Sequence, residues 1–442
     1  MRILLSEHFT YKKLLIFTFP SIVMLVFTSI YGVVDGFFVS NYVGKAAFTA
    51  VNFIMPFLLV VGSVGFMFGT GGGALIAKTL GEGQGAKANR LFSMVVYTSI
   101  VCGVVLAVLG LLLLRPLAYL LGARGELLEN SVVYGRIILL AIPAYVLQYE
   151  FQCLFATAGK PTLGLLVTVA AGLTNMVLDA LFVAVLPWGL SGAAAATAIS
   201  QCVGGLLPLI YFARANGSHL RLGHATPDGR SLFKVCINGS SELMSNISMS
   251  VVSMFYNIQL LKYAGEDGVA AYGVLMYVSL IFQAVFIGYS VGSAPVISYH
   301  YGAQNHAELK GLLRKGLTVI GTFSVCMFAA AQVLSRPLSA LFVGYDAGLY
   351  EMTVHAFFVF SFSFLFAGFA IFGSAFFTAL NDGPVSAAIS FLRTCLFQTA
   401  AVFILPAFLA LEGVWISVVV AEGMAVAVTV LFLKAKQRQY GY

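Results

Sequence analysis

Charged side chains are scarce in this sequence. Asp, Glu, Lys and Arg together make up 9% of the 442 residues, whereas hydrophobic residues make up 60%. Soluble domains are about one quarter charged, so this composition excludes an ordinary soluble fold. Apolar stretches of about 20 residues or more recur along the chain, each able to cross a hydrocarbon core of about 30 Å. We therefore expect an all-α integral membrane protein.

Cysteine and histidine are also few, and their spacing excludes several classes of site. The six cysteines lie within or at the edges of apolar segments and form no C-x-x-C pair, so we expect free thiols. The six histidines are scattered, mostly in polar loops, so no nucleophile with its base and no metal cluster is indicated, and an enzyme is not expected. No cofactor is expected.

Basic residues outnumber acidic ones, giving a net charge of +7, but they sit in short clusters between apolar runs. Without a basic face, this pattern does not indicate nucleic-acid binding. The first apolar run begins after Lys12 and Lys13 and continues past Val34, longer than the hydrophobic region of a signal peptide. We expect it to be retained as the first membrane helix.

Hydropathy predicts twelve transmembrane helices when Gly, Pro and charged residues are taken as the boundaries between apolar runs. They are placed at 13–40, 49–78, 89–114, 131–157, 161–186, 190–213, 236–261, 268–299, 312–334, 351–379, 384–406 and 413–434. The longest polar stretch separates the sixth helix from the seventh. This gives an N-lobe at 1–213, a cytoplasmic linker at 214–234 and a C-lobe at 235–442.

Lys and Arg are distributed unevenly between the two predicted sides of the membrane. With the N-terminus inside, 17 of the 24 fall on the inner side and six on the outer side, and Arg393 lies within a span. Cytoplasmic loops collect positive charge. We therefore expect a multi-pass protein of the cell inner membrane with both termini cytoplasmic.

The two halves of the sequence resemble each other. An offset of half the chain length pairs Gly44 with Gly265, Gly71 with Gly292 and Gly81 with Gly302, and it also aligns two loops, GEGQGAKANRLF with GAQNHAELKGLL. Six crossings per half give both copies the same orientation, so we expect two six-helix bundles related by a pseudo-twofold axis along the membrane normal. A cleft between such lobes suits alternating access.

Ionisable residues within spans are costly and mark functional positions by default. Five acids and one base qualify: Asp35, Glu150, Asp179, Glu242, Glu422 and Arg393. Glu150 receives no role, and a structural salt bridge is expected for Arg393.

Four polar residues of the first half are predicted to form one ion site. Asn175 and Asp179 are four apart and share a helix face, while Asp35 and Thr197 lie at a similar depth below the outer helix ends. Two carboxylates in a low-dielectric pocket repel each other unless they share a proton or bind a cation. The sequence does not choose between H⁺ and Na⁺, and it leaves open that each Asp only hydrogen-bonds a neighbouring helix end.

The order of several motifs resembles the multidrug and toxic compound extrusion (MATE) family. They are Pro20, YGVVDGFFVSNYVG, GTGGGALIAKTLGEG, AGKP, NMVLD, GLSGAAAATAISQ and GVWISVVVAEG, and together they cover essentially the whole chain. The resemblance implies a secondary transporter with two rocking lobes and a helix one that changes shape, for which Pro20 is the expected hinge.

Within that family the chain is more similar to the DinF-like branch than to the NorM-like branch. The resemblance assigns cation coupling to Asp35, Asn175, Asp179 and Thr197, with Na⁺ as a candidate ligand of these four. The branch has a further ligand, an Asn late in helix four, where this sequence has Gln152, so we count Gln152 among the expected cation-coupling residues. The C-lobe site of the NorM-like branch looks incomplete, because Glu242 is present but helix ten offers only His355 and no acid.

The predicted substrate cavity involves residues of both lobes. We place Glu242, Glu422, Tyr31, Met254 and Tyr256 on its walls. Glu242 could equally be a solvated residue at the mouth. Flexible Met and aromatic side chains suit amphipathic cations.

The expected function is secondary active efflux of cationic or amphipathic drugs in exchange for H⁺ or Na⁺, by a monomer embedded in the lipid bilayer. The alternative is a lipid-linked precursor flippase of the wider exporter superfamily. That function predicts a cavity rich in Lys and Arg, whereas the spans hold five acids and one clear base.

Overall fold

The computed structural model describes residues 4–442, and these are almost entirely helical. The first half contains α1 (Tyr11–Phe38), α2 (Lys45–Gly62), α3 (Val64–Gly81), α4 (Gly85–Leu120), α5 (Gly125–Leu140), α6 (Ile142–Thr157), α7 (Pro161–Asp179) and α8 (Gly189–Ala213). The second half contains α9 (Gly229–Gly302), α10 (His306–Val343), α11 (Ala347–Phe360), α12 (Phe364–Ala379), α13 (Gly383–Phe391) and α14 (Gln398–Tyr440). A short 3₁₀ turn (Ser361–Ser363) joins α11 to α12, and π-helical turns follow α1, α7 and α13 at Val39–Val43, Ala180–Val185 and Leu392–Phe397.

The described helices provide twelve candidate membrane spans when two internal breaks are counted. Nine continuous helical stretches are long and apolar enough to cross a membrane, and α5 with α6 forms a tenth that bends by 60°. Helix α9 has 74 residues, a length of about 110 Å and far more than one bilayer core. Non-helical backbone at Gly265 (φ 64°) and at Ala410 (φ 50°) splits α9 and α14. The two breaks raise ten spans to the twelve predicted.

The fourth span differs from the single helix predicted at 131–157. It begins at Gly125 and breaks at Ala141 into α5 and α6. Pro143 has no amide hydrogen to donate to the Leu139 carbonyl, so one helical hydrogen bond is missing here. The Ala141 amide donates to the carbonyl of Ile138, three residues back, where a regular α-helix would use the residue four back. Hydropathy does not register such a break because both segments are apolar.

The polar stretch between the halves is shorter than the predicted 214–234. Only 214–228 is non-helical, because the Asp228 side chain caps α9 by accepting from the backbone amides of Arg230 and Ser231 at 3.0 and 3.3 Å. The stretch lies on the first half: Leu220 is buried there, and the Arg221 amide donates to Asn89. The linker is therefore an ordered, packed segment.

Both ends of the described chain lie at one face of the bundle, which we call the terminal face; the opposite one is the far face. Leu5, Phe9, Tyr440 and Tyr442 belong to a single hydrophobic cluster. That cluster joins the start of α1, up to Ile22, to helices of the second half. Conversely, Val235 at the start of α9 packs in a cluster of the first half. The first turns of α1 thus pack on the second half, and the first turns of α9 pack on the first half.

The halves touch near the terminal face through glycines at equivalent positions. A methyl group on Gly81 would overlap the Tyr299 carbonyl oxygen, and one on Gly302 would overlap the Lys78 carbonyl oxygen. Gly81 and Gly302 are separated by half the chain length, as are Lys78 and Tyr299, so the contact is reciprocal. Reciprocal contacts define a twofold interface. The backbones of α3 and α9 close this face.

A second pair of contacts follows the same symmetry. Gly71 lies against Val235 and Gly239 of α9, and Gly292 lies against Ser21 and Thr18 of α1. The same offset of half the chain relates Gly71 to Gly292 and Thr18 to Gly239. The pseudo-twofold relation predicted from the repeat therefore describes the contact between the halves.

Candidate functional site

The first half brings together the four residues predicted to bind the coupling ion. Asp35 lies on α1, Asn175 and Asp179 on α7, and Thr197 on α8. The Asn175 amide donates to the Thr197 hydroxyl at 3.3 Å, and that hydroxyl donates to an Asp35 carboxylate oxygen at 3.3 Å. Asp35, Asn175 and Asp179 are all buried. We call these four residues the carboxylate cluster.

The local backbone of the carboxylate cluster is unusual. The π-helical turn Val39–Val43 begins four residues after Asp35, and the turn Ala180–Val185 begins directly after Asp179. Single π-turns within α-helices are rare and often occur at functional sites. Here they change the helix phase within about one turn after each acid.

The two carboxyl groups of the cluster face each other. Neither Asp179 oxygen receives a hydrogen bond from any described residue, and the Asn175 carbonyl oxygen is equally unpartnered. Two ionised carboxylates in one buried pocket, one of them without any donor, would be strongly unfavourable. The geometry therefore requires a shared proton or a bound cation, and its donor set of carboxylate, amide and hydroxyl oxygens fits either.

Tyr134 on α5 is a further member of this environment that the sequence did not reveal. Its ring is fully buried, and its phenol faces Asp35, Asp179 and Thr197. The hydroxyl has no hydrogen-bond partner among the described residues. It is therefore free to act as an additional ligand or donor.

Gln152 does not join the carboxylate cluster by any hydrogen bond. Its side chain is buried on α6, and neither amide atom has a partner in the described chain. One turn earlier, Gln148 lies beside Tyr31, which faces Asp35. On this helix it is Gln148 that extends the polar environment of Asp35.

The second half contains a cavity of about 370 Å³. Most of its wall is formed by α9 and by α12 to α14, and α3 and α6 of the first half contribute a strip that includes Gly69 and Cys153. Three of the five residues predicted for it, Glu242, Tyr256 and Glu422, line it. This volume lies in the range typical of pockets for drug-sized molecules.

The other two predicted residues lie elsewhere. Tyr31 lies beside Gln148, Tyr149 and Gly172, outside this cavity. Met254 points away from it and is 62% exposed. Residues two apart on a helix do not share a face, so Tyr256 and Met254 cannot both point inward. Met249 and Met276 line the cavity instead.

Three charged groups on the cavity wall are unequally balanced. Nε of Arg393 lies 2.8 and 3.1 Å from the two oxygens of Glu422, and both side chains are largely buried. This is the structural salt bridge predicted for Arg393, and it also faces the cavity. Glu242 has neither an ion-pair partner nor a side-chain hydrogen bond within residues 4–442. The cavity therefore keeps one carboxyl group without a salt bridge of its own.

Aromatic and amide groups form the wall beside that charge. The rings of Tyr256 and Tyr272 stack with centroids 5.2 Å apart, and the Tyr256 hydroxyl donates to Gln398 at 2.8 Å. Among the described helices, the one carrying His355 supplies no acid to the cavity, and His355 pairs with Glu412 at an exposed position. Apart from Glu242, the second half lacks the acids expected for a NorM-like ion site.

Helix α1 is continuous through the predicted hinge. Pro20 lies inside Tyr11–Phe38 and is buried, and the helix is not interrupted there. The proline removes the amide that would donate to Ile16, so this turn is the weakest in the helix. Bending at Pro20 remains a prediction.

Comparison with known proteins assigns the fold and the family. The chain is 27% identical over 324 residues to the multidrug export protein MepA of Staphylococcus haemolyticus, covering 73% of this chain and 71% of that protein. It is 23% identical over 424 residues to MepA of Staphylococcus aureus, covering 96% and 93%. A solved outward-facing conformation of a multidrug resistance MATE family transporter superposes with a TM-score of 0.92 at 22% identity, covering 98% of this chain and 97% of the other.

The MatE family model matches the chain twice, at residues 20–181 and 243–404. Both matches have the same length, and the second begins slightly more than half the chain length after the first, as expected for a duplication. Together they cover most of the chain. The protein therefore belongs to the MatE family, the multidrug and toxic compound extrusion family that its motifs resemble.

Proposed function

We propose that this protein is a secondary multidrug efflux transporter that exchanges cationic or amphipathic organic compounds for H⁺ or Na⁺ by alternating access. The observation that carries the proposal is the pairing of Asp35 with Asp179 in a buried cluster that no described Lys or Arg neutralises. This pair can take up a proton or a cation and release it again, and this exchange couples ion movement to efflux. The MepA relatives are multidrug export proteins.

Coupling through the first half is the arrangement of the DinF-like branch, and we assign this protein to it. The four residues of the carboxylate cluster act as the ion ligands, with the Tyr134 hydroxyl beside them. A proton needs only one carboxylate, whereas Na⁺ needs several oxygens, which Asn175 and Thr197 add to the pair. Both ions therefore remain candidates for the experiment below.

Substrate recognition belongs to the second-half cavity. Glu242 is the carboxylate there without a partner, and the stacked pair Tyr256 and Tyr272 offers an aromatic surface to a flat cation. Because Arg393 neutralises Glu422, the wall carries one net negative charge. We therefore expect a preference for monovalent organic cations. An anionic lipid pyrophosphate, the substrate of the alternative flippase function, would meet a charge of its own sign.

The surroundings of the protein follow from the same observations. We place it in the cell inner membrane with the terminal face cytoplasmic, because the loops of that face carry most of the Lys and Arg residues. We also expect a monomer, since the cavity and the carboxylate cluster are both built within one chain. We expect no nucleic-acid partner.

Ethidium transport by purified protein in proteoliposomes tests this function. We expect efflux when a pH gradient or a sodium gradient is imposed, and none when both are absent. Asp35→Asn should abolish the gradient-driven component, whereas Asp267→Asn, an exposed far-face Asp, should leave it unchanged. An ethidium efflux rate of the wild type that does not change with either gradient would refute secondary active transport.

A further inference from the structure

Glu150 is a buried carboxyl group that neither the carboxylate cluster nor the cavity uses. It lies in the middle of α6 and its side chain is fully buried. Its only hydrogen-bond partner is the Ser99 hydroxyl of α4, and its other oxygen has none in the described chain. No Lys, Arg or His within residues 4–442 forms an ion pair with it.

The hydrogen bonds of Ser99 favour the neutral form of Glu150. The Ser99 hydroxyl approaches two acceptors, an oxygen of Glu150 and the Val96 carbonyl oxygen, the latter at 2.9 Å. A hydroxyl has one hydrogen and can satisfy only one acceptor by donating. Both contacts are satisfied when Glu150 is a neutral acid that donates to Ser99, while Ser99 donates to Val96.

The surrounding helices offer Glu150 no counter-charge. Around it, α3 presents Gly69, which packs on the Glu150 backbone, and α4 presents Ser99. The described part of α8 contains no Asp, Glu, Lys, Arg or His. The titratable groups that face this region are the Cys153 thiol on α6 itself and, beyond it, the Glu242 carboxylate of α9. A negative charge on Glu150 would therefore be opposed by its neighbours.

Only a thin wall separates Glu150 from the cavity. Cys153 and Gly69 line the cavity, and the backbone of Glu150 packs directly behind Gly69. The Cys153 thiol faces the carboxyl groups of Glu150 and Glu242. A small shift of α3 against α6 would join Glu150 to the water of the cavity. Helix α3 is also the helix whose glycines close the terminal face against α9.

We propose that Glu150 is a second proton-carrying site of the transport cycle, separate from the carboxylate cluster. With the terminal face closed, it holds its proton on the bond to Ser99. When α3 and α9 separate, the O–H bond of Glu150 breaks and the proton passes to water in the cavity opened at the terminal face. The carboxylate remains until the terminal face has closed and a proton that enters from the far face binds to it. One proton is then carried on Glu150 in each cycle, in addition to the ion bound by Asp35 and Asp179. This rests on the proposed exchange function.

The number of protons moved per ethidium tests the proposal. In proteoliposomes, opposing ethidium and pH gradients are adjusted until net flux stops, and the balance point gives the ratio. We expect Glu150→Gln, which keeps the shape and imitates the neutral acid, to lower the ratio by one while efflux continues. Glu266→Gln, an exposed far-face residue, is the matched control and should not change it. An unchanged ratio in Glu150→Gln would overturn the proposal.

Infrared spectroscopy tests the protonated state even if that variant does not fold. At neutral pH in an ester-free detergent, the wild type should show the carbonyl band of a protonated carboxylic acid. The band should persist in Asp35→Asn and Asp179→Asn and shift in Ser99→Ala, which removes the acceptor of the Glu150 proton. Absence of a band sensitive to Ser99→Ala would also overturn it. If the wild type shows no gradient-driven efflux at all, the exchange function fails instead, whatever the infrared result.

Discussion

At the scale of single residues, the two acids of the cavity differ in how their charge is balanced. Glu422 is held by Arg393, whereas Glu242 faces the cavity without an ion pair in the described chain. A charge that already has a partner gains little from a ligand, because the ligand must displace that partner. Glu242 is therefore the carboxylate that a cationic substrate can neutralise at least cost.

Replacing Glu242 with Gln should weaken ethidium binding. Charged hydrogen bonds and ion pairs contribute about 1.5–3 kcal/mol, so we expect the Kd to rise on the order of tenfold to a hundredfold. Equilibrium binding to purified protein measures this. Glu266→Gln is the matched control on the exposed far face. An unchanged Kd in Glu242→Gln would show that ethidium is recognised elsewhere.

Removing Arg393 should destabilise the protein because it leaves Glu422 buried and uncompensated. We expect Arg393→Met to lower the free energy of unfolding by about 3–5 kcal/mol, and the double variant with Glu422→Gln to recover most of the loss. Thermal unfolding of the two single variants and the double variant measures the coupling. Additive losses would mean that the two side chains do not stabilise each other.

The residues of the carboxylate cluster could be predicted, but not all of their surroundings. Asp35 and Asp179 are visible because acids are rare in apolar segments, and Asn175 lies one turn from Asp179. The sequence did not indicate Tyr134, because a tyrosine in a membrane helix is common. Its segment, α5, is set apart from α6 only by the bend between them, which hydropathy does not reveal. The prediction for Met254 was wrong for a simpler reason. Met254 and Tyr256 are two residues apart on one helix, so their side chains do not share a face.

At the scale of secondary-structure elements, the three π-helical turns accompany charged residues inside the membrane. Two follow Asp35 and Asp179, and the third contains Arg393. A π-turn leaves part of the hydrogen-bond ladder irregular, so it can change length or phase more easily than an α-helical turn. We infer that these helices adjust at the turns when the nearby charge changes.

Close backbone contact between α3 and α9 closes the terminal face, and it depends on glycine. We expect Gly302→Ala to overlap the Lys78 carbonyl and to disfavour closure by about 1–3 kcal/mol, the usual cost of overpacking. Spin labels at the exposed positions Lys87 and Lys310, in a cysteine-free background, report the separation of the halves at this face. The distance distribution should move to longer values.

Gly85→Ala is the control for this experiment. Gly85 begins α4 at the same face, and a methyl group there would meet no other atom within 4 Å. Its distance distribution should match that of the wild type. Equal distributions for Gly302→Ala and Gly85→Ala would show that the glycine contact does not control closure.

Most helical elements could be read from hydropathy because each must bury its backbone within about 30 Å of hydrocarbon. Their irregularities could not. The break at Ala141 depends on one missing amide at Pro143, and the π-turns depend on one extra residue in a hydrogen-bond ladder. Such features change neither the length nor the polarity of a span.

At the scale of the whole molecule, the two halves share a scaffold but differ in chemistry. At the offset of half the chain length, Asp35 aligns with Tyr256, a wall residue of the cavity, and Asp179 aligns with Ala400. The first half thus contains the carboxylate cluster, and the second half contains most of the cavity. In the proposed transport cycle, the halves move as similar bodies about the pseudo-twofold contact while each performs a different task.

The repeat made the overall architecture predictable from sequence. Matched glycines and loops at one offset implied two similar bundles, and the same glycines form the reciprocal contacts near the terminal face. The position of the cavity could not be predicted in the same way. The position of the cavity depends on which small residues of α3 leave space beside α9. The volumes of the side chains alone do not reveal which residues these are.

The central claim, that the carboxylate cluster couples ion movement to efflux, is tested most directly by ethidium counterflow in the double variant Asp35→Asn/Asp179→Asn. Counterflow exchanges labelled for unlabelled ethidium and needs the rocking of the two halves but no ion gradient. We predict that the double variant keeps counterflow and loses all acceleration of net efflux by an imposed pH or sodium gradient. Gradient acceleration equal to that of the wild type would contradict the account.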